Sequence, residues 1–365
     1  MTKPLIVLGA GGTGGHLFPA EATALELLEH GFRVAIATDK KGQGFSAFEN
    51  HKDVEIIRFS GGGVASGSII AKAKGGLSLC AGILQAYRWF KKNKPAVAIG
   101  FGGFASIPPI MAARYTKTPY ILHEQNAVLG RANQMLAKHA KAIATGFKEV
   151  QKCPENIEQV WVGTPVRGTF LLDPIRNYHT TKFFNLLVLG GSQGARALTT
   201  LIPQAINLLP EALVAHIHVT QQVRNENMAE AKEAWANSSA KYELAPFYKQ
   251  VGQRMADAHL YIGRSGASSV SECLATALPA IMIPYPHAVD DHQYFNAKNL
   301  ADQGCGWVIR EEEVTPEILA DALKTLIFNP QRLEDASMAC EKNAKLDATK
   351  HIADMVSAII KQNQG

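Results

Sequence analysis

The sequence predicts an α/β protein made of two doubly wound domains in tandem, and three observations predict it. Short continuous apolar runs recur along the chain and stop at glycine or a polar residue; helix-like stretches separate them; and the scheme restarts after an unpatterned polar stretch near the middle. A length of 365 residues suggests about two domains at roughly 150 residues each. Each is long enough to bury a core without disulfides or metals. Hydrophobic residues make up 47% and charged residues 19%, which excludes a disordered or fibrous chain.

Leu5–Leu8 reads as a buried strand that ends at Gly9, Ala20–Glu29 as a helix and Val34–Ala37 as the next strand, together a β-α-β unit. Ala96–Ile99 ends at Gly100, Tyr120–Leu122 at His123 and Ala142–Ala144 at Thr145, which extends a buried parallel sheet. Residues 1–164 therefore form a Rossmann-like first domain. The pattern lapses between Gly163 and Arg167, and a polar stretch through Thr180 leads to a new strand, Leu186–Leu189. Ala215–Val219, Leu260–Ile262 and Ala280–Ile283 follow as strands of a second Rossmann-like domain, residues 165–345. Ala348, Ile352, Met355, Val356 and Ile359 lie at helical spacing, so a terminal amphipathic helix must dock somewhere; over about 346–365 it is expected to pack back on the first domain.

The formal charge of +5, from 37 Lys+Arg against 32 Asp+Glu, is scattered, unlike the basic runs of a nucleic-acid arm. Phosphate-bearing small molecules or an anionic membrane surface suit it as well as nucleic acid does, and charge alone does not choose among them. The five cysteines form no CxxC pair, as in a reducing compartment. Glycines interrupt the N-terminal apolar run too early for a signal peptide, and no stretch approaches the ~20 apolar residues of a membrane span. A soluble or peripheral protein is expected.

Chemistry is expected where strands meet glycines. Gly9-Ala10-Gly11-Gly12-Thr13-Gly14-Gly15-His16 follows the first strand and opens a helix, where backbone N–H groups can approach an anion. Gly9, Gly11 and Gly14 spell G-x-G-x-x-G, and Asp39 stands where a dinucleotide fold keeps its ribose-binding acid, so an NAD-dependent oxidoreductase is a rival reading. The same glycines also serve a plain tight turn. His16 beside that turn is a candidate base, or a helix-capping histidine. Gly190-Gly191-Ser192-Gln193-Gly194 repeats the arrangement in the second domain, and two such turns imply an interdomain cleft that holds a donor and an acceptor. Arg264-Ser265-Gly266-Ala267-Ser268-Ser269-Val270-Ser271-Glu272 joins a strand to a helix, where a diphosphate and a ribose would sit; a capping-box glutamate is the modest alternative. His123-Glu124-Gln125-Asn126 places polar side chains at a strand end. No D-x-D pair is present to carry a metal-bound nucleotide sugar.

Taken in order, Gly11 to His16, His123 to Asn126, Gly163 to Arg167, Gly190 to Ala195, Arg264 to Glu272 and His287 to Gln293 resemble the motifs of the MurG family. These are the UDP-N-acetylglucosamine:lipid-linked N-acetylmuramyl-pentapeptide N-acetylglucosaminyltransferases of bacterial cell-wall synthesis, which have the GT-B fold. The resemblance covers nearly the whole chain. It implies transfer of N-acetylglucosamine from UDP-N-acetylglucosamine to the 4-hydroxyl of the muramyl sugar of lipid I, with inversion, to give lipid II. It assigns donor contacts to Thr13, Gly14, Gly15, Asn126, Arg167, Ser192, Ala267, Ser268, Ser269, Val270, Ser271, Glu272 and Gln293. Within that set Glu272 takes the ribose, Ser192 and the helix start near Ser268 the diphosphate, and the loop at Phe247-Tyr248 the uracil. His16 is the first candidate for general base and Glu124 the second. No cofactor is implied, and a divalent metal is at most stimulatory.

The implied location is the cytoplasmic face of the bacterial inner membrane, as a peripheral protein, with lipid I, an anionic membrane surface and other cell-wall synthesis proteins as partners and no nucleic acid. Ile69 to Lys74 and Leu77 to Lys94 mix apolar and cationic residues as an interfacial helix would, although a core helix with snorkelling lysines looks alike. The chain departs from the family at Ser60 to Ser68, where relatives carry a more basic loop. A nucleotide-sugar epimerase of the same architecture and a non-catalytic membrane adaptor are the remaining alternatives.

Overall fold

Apolar runs flanked by glycine turns become two parallel sheets. The structure, a computed structural model, describes residues 3–11, 14–39, 48, 53–61, 69–171, 177–179, 182–191 and 195–363. The chain divides into two units, Met1–Arg167 with Leu346–Gly365, and Gly168–Lys345.

In the first unit β1 (Leu5–Gly9), β2 (Arg33–Asp39), β3 (Val54–Phe59), β4 (Val97–Gly100), β5 (Tyr120–Glu124), β6 (Ile143–Thr145) and β7 (Gln159–Trp161) pair in the order β3-β2-β1-β4-β5-β6-β7. Every pairing is parallel; Val7 faces Ala35 on one side and Ala98 on the other. Strand order reverses between β1 and β4, so the carboxyl ends of those strands open a crevice at the switch point. Helices cover both faces, and β1, β4 and β5 are buried along their whole lengths, which explains the unbroken apolar composition of β1 and β4; β5 ends in the buried polar pair His123-Glu124. The helix Ala348–Gln362 places Ile352, Ala353 and Val356 in this core, and the Thr349 hydroxyl lies 3.0 Å from Glu26 on the helix Gly14–Glu29. Burial of the Ile and Val side chains supplies about 1.5–3 kcal/mol each.

In the second unit β8 (Phe184–Leu189), β9 (Ile217–Gln222), β10 (Lys241–Ala245), β11 (Leu260–Gly263), β12 (Ala280–Met282) and β13 (Gly306–Val308) pair in parallel in the order β10-β9-β8-β11-β12-β13. Its core holds a fully buried Trp235, whose indole N–H donates to Gln221 Oε1 at 2.9 Å. Gln221 in turn donates to the Leu198 carbonyl at 2.8 Å, so this buried polar pair is satisfied.

Some elements differ from expectation. The strand expected from Ala215 begins at Ile217, because Ala215 caps the short helix Glu211–Val214. Apart from Lys94, the segments Ile69 to Lys74 and Leu77 to Lys94 fall on one helix, Ile69–Asn93, whose Ala86 and Phe90 are buried while Leu77 and Leu84 are exposed. Of the edge strands, β3, β7 and β10 contain polar residues, and β13 is only three residues long and half-buried.

Candidate active site

At the end of β1 the glycines have a packing reason. A Cβ on Gly9 would lie 2.9 Å from Pro109, and one on Gly11 would lie 2.5 Å from Ala105 and 2.9 Å from the Thr38 hydroxyl. The G-x-G-x-x-G spelling therefore reflects close approach of the segment 104–109, which accounts for two of its glycines without a dinucleotide. Thr13 lies outside the described residues. Gly14 and Gly15 open the helix Gly14–Glu29 and His16 stands in its first turn, half-buried. Its Nδ1 is 3.3 Å from Gln125 Oε1. Gly102 and Gly103, at φ 84° and 71°, bracket the imidazole: a Cβ on either would come within 3.2 and 3.1 Å of the ring. Residues with side chains rarely adopt such φ values.

β5 delivers the His-Glu-Gln-Asn segment, in which each polar group is paired. Glu124 is buried, and its Oε1 accepts from the Asn126 backbone N–H (3.0 Å) and Asn126 Nδ2 (3.1 Å). Its Oε2 accepts from the Gly130 N–H (2.8 Å) and Asn133 Nδ2 (2.9 Å). Four donors fill the acceptor positions of a carboxylate, so Glu124 ties the loop 126–130 to β5 and holds Asn126 in place. His123 is fully buried between this strand and the loop after β7, with Nε2 3.0 Å from the Gly163 carbonyl and Nδ1 3.0 Å from Gln125 Nε2. Burial pushes its imidazole down to about 4, so it is neutral in this site.

Arg167, just after the β7 loop, stacks its guanidinium 4.0 Å over the Phe18 ring, one residue pair along from His16 on the same helix. Glu21 is on that helix too; half-burial raises its carboxyl above the usual range and the Arg167 charge offsets part of the rise. The first unit thus gathers Gly14, Gly15, His16, Glu124, Asn126 and Arg167 at the carboxyl ends of β1, β5 and β7.

In the second unit the turn after β11 is built for a helix start. Arg264 is buried and donates to the Ile283 and Pro284 carbonyls, both at 3.1 Å, while pairing with Glu311. It fastens the β11 turn to the exit of β12. The Ser265 hydroxyl donates to the Gln293 carbonyl at 2.8 Å, and Gln293 Oε1 accepts from the Tyr285 N–H at 3.0 Å. The helix Ala267–Ala275 starts after Gly266 with no side-chain cap, and the buried Ser268 hydroxyl has no hydrogen-bond partner among the described residues. Ala267 and Val270 turn into the core, so their open contribution is the backbone; Ser268, Ser271 and Glu272 share another face by helical spacing. Ser269 bonds the Tyr261 hydroxyl. Ser192 lies outside the described residues.

At the carboxyl ends of β9 and β10 the expected uracil loop splits in two. Phe247 is 70% exposed, whereas Tyr248 is buried under Arg254, with its hydroxyl donated toward the Gln221 and Glu243 carbonyls at 3.2 and 3.0 Å. Burial pushes the phenol up to about 12, which keeps it a donor. Phe247 is thus the exposed ring of this loop and Tyr248 its buried anchor. Among the described residues no group of three His, Cys, Asp or Glu is placed to hold a metal ion, and no helix is long and apolar enough to cross a membrane.

Sequence reading missed Gly102-Gly103, Phe18 and Glu21. The adjacent glycines after β4 were the available signal, since a Gly-Gly pair at a strand end marks backbone in the left-handed region.

Comparison with known proteins gives consistent matches. Residues 6–145 match the glycosyltransferase family 28 N-terminal domain and residues 185–352 the family 28 C-terminal domain. A Rhodospirillum centenum protein is 42% identical over 98% of this chain and 94% of its own length, and a Brucella anthropi protein is 43% identical over 98% and 96%. Both are named UDP-N-acetylglucosamine--N-acetylmuramyl-(pentapeptide) pyrophosphoryl-undecaprenol N-acetylglucosamine transferase. The crystal structure of Acinetobacter baumannii MurG superposes with a TM-score of 0.79 at 28% identity, covering 97% of this chain and 99% of that one. A UDP-N-acetylglucosamine 2-epimerase shares the fold, at a TM-score of 0.68 and 13% identity over 98% and 96%.

Proposed function

The chain belongs to glycosyltransferase family 28, among the transferases that act on the lipid-linked muramyl pentapeptide, and from that membership we propose how its residues carry out the reaction. It moves N-acetylglucosamine from UDP-N-acetylglucosamine to the 4-hydroxyl of the muramyl sugar of lipid I and forms lipid II, a step of peptidoglycan synthesis. Identity above 40% along nearly the whole length to transferases is the observation that carries this reading. The epimerase likeness is one of fold alone, and Gly9 and Gly11 have a packing role that needs no dinucleotide.

His16 is the general base. It takes the proton of the 4-hydroxyl as that oxygen attacks the anomeric carbon of the donor sugar; the bond to UDP breaks with its electron pair leaving on the phosphate, and the new linkage is β. Glu124, its oxygens already occupied, positions Asn126. The backbone at the start of Ala267–Ala275 and the Ser268 hydroxyl, which has no partner among the described residues, receive the diphosphate, where the helix dipole favours negative charge. Arg167 adds positive charge for the leaving group. Glu272 binds the ribose hydroxyls and the Phe247 ring stacks on uracil, with Tyr248 holding its loop. Thr13, Gly14, Gly15, Ser192, Ser269, Ser271 and Gln293 complete the donor contacts. No metal is required by this scheme.

The lipid acceptor calls for membrane contact, and the exposed stripe Lys74, Leu77, Leu84, Arg88 and Lys91 on the helix Ile69–Asn93 supports it. Such a surface suits a peripheral enzyme on the anionic cytoplasmic leaflet, in the company of other cell-wall enzymes. The deciding experiment measures UDP release from UDP-N-acetylglucosamine with and without a lipid I analogue, in detergent with EDTA. Acceptor-dependent release is expected; release without acceptor would instead indicate an epimerase or hydrolase.

A further inference from the structure

We infer that Gln125 is a positioning residue that fixes the tautomer of His16, holding the proton on Nδ1 and leaving Nε2 as the bare nitrogen that faces the acceptor hydroxyl. The inference rests on the reading of His16 as general base. Its starting point is two carbonyls, which can only accept hydrogen bonds. The Gly163 carbonyl lies 3.0 Å from His123 Nε2, so that nitrogen carries the ring proton and His123 Nδ1 is an acceptor. Gln125 Nε2 lies 3.0 Å from His123 Nδ1 and 3.0 Å from the Phe101 carbonyl. Both neighbours accept, so the amide must present its NH2 to them, and a flipped amide would set an oxygen against a carbonyl and a lone pair at once.

Gln125 Oε1 is thereby aimed at His16 Nδ1, 3.3 Å away, and an amide oxygen only accepts. Neutral His16 must then be protonated at Nδ1. Among the described residues no hydrogen bond to His16 Nε2 is formed, and Gly103, where a Cβ would stand 3.4 Å from that atom, keeps its approach clear. The chain from Gly163 through His123 and Gln125 to His16 has no titrating member between its ends at neutral pH, because burial keeps His123 uncharged. An acid–base histidine in the wrong tautomer offers an N–H where a lone pair is needed, and a partner that prevents this acts through orientation alone.

The test uses the full chain labelled with 15N-histidine. Long-range 1H–15N spectra, with the His16 signals identified by their loss in His16→Ala, should show a protonated Nδ1 and a bare Nε2 in the unsubstituted protein. In Gln125→Leu the proton should pass to Nε2, with kcat reduced about 10–100-fold and the KM for UDP-N-acetylglucosamine unchanged. A bare Nδ1 in the unsubstituted protein overturns the inference even if His16→Ala is inactive and should Gln125→Leu not fold. So does Gln125→Leu with the original tautomer and a reduced kcat. Near-normal kcat in His16→Ala would instead overturn the base reading, whatever tautomer the spectra show.

Discussion

The strand ends of the two units handle polar groups in opposite ways. In the first, Glu124 accepts four hydrogen bonds, and His123 and Gln125 satisfy one another on the way to His16. In the second, a helix begins without a side-chain cap, Ser268 keeps a buried hydroxyl with no partner among the described residues, and the Phe247 ring is exposed. A base must be aimed before substrate arrives, and neighbouring side chains can do that permanently. A diphosphate brings its own acceptors, so its site retains donors that the ligand will use. The first unit is organised around geometry and the second around capacity.

That contrast can be broken most sharply at His16. His16→Ala should lower kcat about 100–10,000-fold with little change in donor KM, read by steady-state kinetics. Glu272→Ala should act the other way, raising the donor KM about 10–100-fold through loss of charge-assisted hydrogen bonds to the ribose. Equal and mild effects of both would remove the division of labour.

Acid should find the weakness of the first unit. His123 binds no proton when folded until pH falls to about 4, whereas the unfolded chain protonates it near 6.5. The unfolded state therefore holds the extra proton between those values, and stability falls as pH drops from 6.5 toward 4, by about 3 kcal/mol from this group. Urea titrations of the protein and of His123→Gln across that range should differ in slope; parallel curves would remove His123 as the cause.

Glu124→Gln should cost about 2–3 kcal/mol of stability, since the new amide presents a donor to groups that themselves donate. Ser268→Ala is the smallest change and the closest check on the comparison. Removal of a hydroxyl that bonds nothing among the described residues should leave the thermal midpoint of the free protein unchanged while weakening UDP binding about 3–10-fold by calorimetry. A marked loss of stability in the free protein would mean that the second unit, too, is internally satisfied.

The sequence by itself determined the two parallel sheets, their central strands and the glycine turns at their carboxyl ends. A strand buried on both faces must be an unbroken apolar run, as Leu5–Gly9 and Val97–Gly100 are, and such a run is visible locally. Tertiary structure alone decided the edges: Val54–Phe59, Gln159–Trp161, Lys241–Ala245 and Gly306–Val308 are only partly buried, so nothing in their composition demands a strand until a neighbour pairs with them. It also decided that Phe247 turns out and Tyr248 in, and that Gln125 faces His16 across 109 residues of sequence. Burial patterns are written along the chain because they depend on each residue's own solvation. The pairing of polar atoms depends on which distant groups the fold brings within about 3 Å, and no local pattern encodes that.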